Sequence, residues 1–137
     1  MVHSEEIQKE LYQNLGKLFY AIAMADKNVR PVEVEKLRES IKEYWSGLDE
    51  AEDEFGTDAS YQIEIVFHWL QEEEKDGKIY FDEFQDFYKD HKGFFTPEIK
   101  SLTWKTADRI ACAFAGKNKS ELIFLNKLKL LFGWYDF

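Results

Sequence analysis

SEEIQKELYQNLGKLFYAIAMA, residues 4–25, is the stretch whose reading decides the fold. Within it Ile7, Leu11, Leu15, Leu18, Phe19 and Ile22 recur three or four residues apart. At about 100° per residue that spacing gathers all six on one stripe of an α-helix, whereas a strand would need strict alternation. Ser4 can cap the helix, because its hydroxyl accepts from an unpaired N–H of the first turn. The reading is an amphipathic helix from about residue 4 to residue 25.

Outward from this helix the same logic repeats. The turn Asp26-Lys27-Asn28-Val29-Arg30 leads to Pro31, which fits a first helical position where a missing N–H costs nothing. Val34, Leu37, Ile41, Tyr44 and Trp45 form the second stripe, and Gly47 ends it. Residues 49–60 hold six acids and no base, with Gly56 among them, and read as a solvated acidic loop. Asp58 can cap a third helix carrying Ile63, Val66, Phe67 and Leu70, and Asp76-Gly77 reads as a turn. A short fourth helix carries Phe84, Phe87 and Tyr88. Thr96-Pro97-Glu98 joins a capping hydroxyl, a first-position proline and an acid at the positive helix end, and starts a fifth helix reaching about Ala115. Gly116-Lys117-Asn118-Lys119 breaks it, Ser120 caps a sixth helix with Leu122, Leu125, Leu128 and Leu131, and Gly133 stops that one. No run alternates with period two, so the fold class is all-α, a compact bundle of about six helices.

At 137 residues the chain is expected to form a single all-helical domain spanning 1–137. Twelve Phe, seven Tyr and four Trp rule out a disordered chain even though 33% of residues are charged. The longest uncharged stretches fall well short of a membrane span. Glu5 and Glu6 stand where an export signal would carry bases, and the lone Cys112 is expected to be a small buried hydrophobe, so the expected compartment is the cytoplasm. A net charge of −9 opposes phosphate backbones and anionic lipid heads, which argues against nucleic acid as a partner.

Ala21-Ile22-Ala23-Met24-Ala25-Asp26-Lys27-Asn28 leads to Pro31 and Glu33, and Ala111-Cys112-Ala113-Phe114-Ala115-Gly116-Lys117-Asn118 leads to Ser120 and Glu121. Each describes an αα-hairpin whose alanines let two helices approach closely, so the bundle reads as two αα-hairpin pseudo-repeats. The pair resembles the TerB-like family, named after a tellurite-resistance protein, whose turn has the form A-D-G-x-[IV]-x-x-x-E. Ala25, Asp26, Val29 and Glu33 occupy the matching places, while Lys27 replaces the usual glycine. The second copy departs further, with Gly116 in place of the acid and a shorter spacing to Glu121. The resemblance covers about residues 11–45 and 100–133. It implies a helical bundle acting as a non-catalytic interaction or scaffold module in a bacterial stress system related to tellurite resistance, with other proteins as partners.

Two acidic sites give the alternative, a divalent-cation-binding protein. Residues 72–83, EEEKDGKIYFDE, resemble an EF-hand calcium loop, with Glu72, Glu74, Asp76 and Glu83 at positions 1, 3, 5 and 12 and Gly77 at position 6. Against calcium, Glu72 replaces a short Asp, Lys75 adds a positive charge, Gln71 replaces an apolar residue and no second loop exists. The other site sets Asp26 and Glu33 beside Asn118 and Glu121, oxygen ligands suited to calcium or magnesium if the two turns meet. The plainer roles are capping of helix two by Asp26 and an ordinary helix-turn-helix at 72–83. His3, His68 and His91 have no zinc spacing, and Glu64, His68 and Glu72 read as a solvated helix face. No nucleophile elbow, phosphate loop or dinucleotide fingerprint is present, so neither a catalytic residue nor an organic cofactor is expected. Trp134, Tyr135 and Phe137 are expected to fold back on the bundle, docking on a second copy in a homo-oligomer being the other outcome.

Overall fold

A computed structural model describes residues 2–24, 31–45, 59–73, 76–113 and 119–133. It contains α1 (Val2–Ala23), α2 (Pro31–Trp45), α3 (Ala59–Glu72), α4 (Gly77–Asp90), a 3-10 turn (Lys92–Phe94), α5 (Pro97–Ala113) and α6 (Lys119–Phe132). No strand occurs among the described residues. The class is all-α, and buried residues of all six helices join one hydrophobic cluster.

α1 is the axis of the bundle. It packs along α3 and α4 over most of its length and also meets α5 and α6. Leu11, Leu15, Leu18, Phe19 and Ile22 are buried as the stripe requires, and Ile7 is half-buried. The burial goes further than one stripe: Tyr12, Tyr20, Ala21 and Ala23 are covered as well. Every residue from Leu18 to Ala23 is buried, so this end of α1 is covered on all sides, while Glu6, Gln8, Lys9 and Glu10 leave its first turns open to solvent on one side.

Two glycines set how closely the neighbours approach. A Cβ on Gly16 would lie 2.8 Å from the Ile63 carbonyl oxygen and 2.9 Å from Val66 Cβ, so α3 crosses α1 directly over the glycine. A Cβ on Gly77, the first residue of α4, would stand 3.1 Å from Ala21 Cα. Ala21 and Ala111 are both fully buried, as expected of close helix contacts. The close neighbour of Ala21 is Gly77 of α4. Ala25 and Ala115 lie outside the described residues.

α2 packs on α3 and α5. Its last residue, Trp45, is fully buried, stands 6.3 Å from the Phe19 ring and donates its indole N–H to Thr106 Oγ1 of α5 at 2.9 Å. Outside this bond, Arg109 of α5 donates to Glu43 at 2.9 Å and to the Tyr44 hydroxyl at 3.0 Å, and those hydrogen bonds raise its pKa. At the other end of the bundle Tyr88, Phe95 and Phe132 join α4, the segment before α5 and α6, with ring centres 4.8 to 6.2 Å apart.

The helix ends follow the sequence signals in part. Thr96 Oγ1 accepts from Ile99 N at 3.2 Å, and Gly133 closes α6 at φ +78°, its N–H donating to Leu130 O. Ser4 does not cap α1, which begins at Val2, and Ser120 is already inside α6, which begins at Lys119. A fourteen-residue α4 replaces the short helix expected from three aromatics. Asp76 is its N-cap and Gly77 already helical, so the expected turn is a helix start. Cys112 is exposed, because Ala107, Ile110 and Ala111 take the inward face and the next residue points about 100° away.

Candidate functional site

Of the candidate acidic ligands, Glu72, Asp76 and Glu83 are the ones whose side chains lie among the described residues. Asp26, Asn118 and the two hairpin turns lie outside the described residues. The backbone places Glu33 and Glu121 each at the third position of its helix, α2 and α6. α2 packs on α3 and α5, while α6 packs on α5 and α1.

The span 72–83 is not a twelve-residue loop. α3 runs through Glu72 and α4 starts at Gly77, so seven of the twelve positions are the opening of a helix. Its carboxylates have separate partners. Glu72 pairs with His68 at 3.1 Å on the surface, Asp76 Oδ1 accepts from Lys78 N at 3.1 Å, and Glu83 binds Lys17 of α1 at 2.9 Å. Glu74 lies outside the described residues. Glu64 turns from the Glu64, His68, Glu72 face to accept from Arg38 Nε of α2 at 3.2 Å. Among the described residues no group of three or more His, Cys, Asp or Glu side chains gathers as a metal site would need.

A shallow cleft of about 300 Å³ opens between the N-terminal half of α1 and the start of α5. Part of its polar lining is engaged: Thr96 caps α5, and Gln8 donates to the Tyr12 hydroxyl at 3.1 Å. No nucleophile is paired with a base among these residues.

The feature with chemical consequence is the outer face of α3. Ile63, Phe67 and Leu70 bury its inner face, whereas Tyr61, Ile65 and Trp69 stand 45%, 48% and 55% exposed. Positions i, i+4 and i+8 fall on one side, so these three form a continuous apolar ridge about 12 Å long. The helix contains Glu64 and Glu72 and no Lys or Arg, and exposed Glu73 follows. The sequence held the signal for this face. Reading only the best single stripe leaves out a helix apolar on two sides. The terminal aromatics Trp134, Tyr135 and Phe137 lie outside the described residues.

A comparison with protein-family models, curated proteins and solved structures finds no match for the chain. No helix is long and apolar enough to cross a membrane among the described residues.

Proposed function

We propose that this chain is a non-catalytic protein-interaction module, TerB-like in kind and part of a bacterial stress system related to tellurite resistance, whose α3 face receives a basic amphipathic helix of a partner protein. The observation that carries the docking face is the exposed ridge Tyr61, Ile65 and Trp69. Tyr and Trp dominate the energetics of protein interfaces, and fully covering a large apolar side chain is worth roughly 1.5–3 kcal/mol. The surrounding charge selects the partner. Arg38 of α2 engages Glu64, but exposed Glu72 and Glu73 beside Trp69, in a chain of net charge −9, attract bases and slow the approach of acids.

The TerB-like part of the reading rests on the hairpin sequence alone. Loss of tellurite tolerance on deleting the gene supports the stress assignment, and unchanged tolerance removes it. Docking is tested by calorimetric titration with a synthetic amphipathic Leu/Lys helix, alongside a scrambled peptide of the same composition. The amphipathic peptide should bind more tightly than the scrambled one, and Trp69→Glu should weaken it at least tenfold, about 1.4 kcal/mol. Equal binding of both peptides, or binding indifferent to Trp69→Glu, would overturn the docking face.

A further inference from the structure

We propose that a second copy of this chain is one occupant of the α3 face, and that it docks there through its own α6. The inference rests on the reading that α3 receives a basic amphipathic helix, and α6 has that chemistry. Its inner side is buried through Leu125, Leu128 and Phe132, while Ile123 and Leu130 are 54% and 57% exposed. They are seven residues apart, two turns along one side, or about 10.5 Å. That span matches the ridge from Tyr61 to Trp69.

The charges are complementary as well. α6 contains Lys119, Lys127 and Lys129 against the single acid Glu121, with Lys129 half-buried over the Trp104 ring of α5. α3 contains no Lys or Arg, and with Glu64 engaged by Arg38 of α2 the exposed acids beside Trp69 are Glu72 and, just beyond the helix, Glu73. Lys127 is exposed between Ile123 and Leu130, its ammonium 5.8 Å from the Phe124 ring centre. A net-basic helix in a chain of charge −9 gives the molecule two unlike faces. Pairing α3 with α3 would set acid against acid, and pairing α6 with α6 would set base against base. Pairing α3 with α6 matches both apolar spacing and charge. One chain cannot make this contact with itself, because both helices are held to α1 by their opposite sides. The contact is therefore heterologous: each added copy leaves one α3 face and one α6 face free, so association continues beyond a dimer.

Complementary variants of the full chain test this. Trp69→Glu disables the α3 face and Leu130→Glu the α6 face. Both positions are exposed, and matched thermal melts establish that each variant is folded. In sedimentation velocity across micromolar to millimolar protein, the wild type should show an average mass that keeps rising with concentration, and each variant alone should remain monomeric. Mixing the variants one to one restores a single competent α3–α6 pair, so the mixture should form a dimer and stop there. A wild type monomeric throughout, association that survives either substitution, or a mixture that stays monomeric would each overturn the proposal. An α3–α3 dimer would reveal itself by surviving Leu130→Glu. If the Leu/Lys peptide binds in a Trp69-dependent way while the wild type stays monomeric, self-docking fails and the docking face stands. If the peptide does not depend on Trp69 either, both readings fall together.

Discussion

Gly16 carries the tightest packing constraint among the described glycines. In an exposed helix interior Gly→Ala would stabilise by about 1 kcal/mol through helix propensity. Here the new methyl would meet a backbone oxygen, Ile63 O at 2.8 Å, and the branch point of Val66 at 2.9 Å, neither of which a rotamer change can move. Over-packing of this sort costs about 1–3 kcal/mol, so Gly16→Ala should lower stability in urea denaturation, and an increase would place α3 farther from α1. Asp76 is the second residue-scale case. It caps α4 through Lys78 N, so Asp76→Ala should cost about 1 kcal/mol while Asp76→Asn stays close to wild type, because asparagine caps about as well. An equal loss for both substitutions would point to a role for the charge itself. Asp76 also shows why the acidic spacing at 72–83 was legible while the role of each acid was not. Acid spacing can be read from a sequence, but whether an acid ligates a cation or begins a helix depends on where the helix starts, and Gly77 allows α4 to start against Ala21.

Among the helices, α2 and α5 are joined by one buried hydrogen bond and a surface cluster, and the two should differ in weight. The Trp45 indole N–H reaches only Thr106 Oγ1 across that boundary, and Trp45 has no exposed surface. Thr106→Val keeps the shape and leaves the N–H unsatisfied, which should cost about 1–3 kcal/mol, whereas Thr106→Ser should retain most of the stability. Glu43→Gln at the exposed Arg109 contact should change stability by less than about 1 kcal/mol. Urea midpoints for the three variants, compared at equal slope, check the order. Elements were legible to the extent that apolar periodicity is local. The buried stripes of α1 and α2, and Leu125 and Leu128 of α6, follow from spacing alone, and Thr96 and Gly133 mark the start of α5 and the end of α6 as read. Less legible were the features set by neighbours: the all-round burial of α1 from Leu18 to Ala23, the length of α4, and the second apolar face of α3. The ridge of α3 uses the same residue types as a core, and only the positions of the other helices leave it uncovered.

For the molecule as a whole, a charge of −9 becomes more negative as pH rises and bases lose protons, so self-repulsion weakens the fold in alkali without any specific site. Tyr80 adds a specific contribution to that general one. It is half-buried on α4 with its ring edge-on to Tyr20 at 6.2 Å, and its pKa lies above the ordinary value of 10.0, first because burial disfavours the phenolate and then because Glu83 repels it. In the unfolded chain the phenol loses its proton near pH 10, while in the folded chain it holds the proton to higher pH. The folded state then binds more protons than the unfolded one, and stability falls as pH rises through that interval. The stabilisation tied to this group is fully present below pH 10 and is lost as pH climbs through the raised folded value. Tyr80→Phe removes the titration but keeps the ring packed on Tyr20. Its urea-denaturation free energy should therefore decline less steeply above pH 10 than that of the wild type, and the two should run parallel from pH 7 to pH 9. The shared decline measures general repulsion, and the difference between the curves measures Tyr80. Parallel curves above pH 10 as well would mean that water reaches the hydroxyl in the folded protein and that the α1–α4 contact around Tyr20 is looser than its buried ring implies.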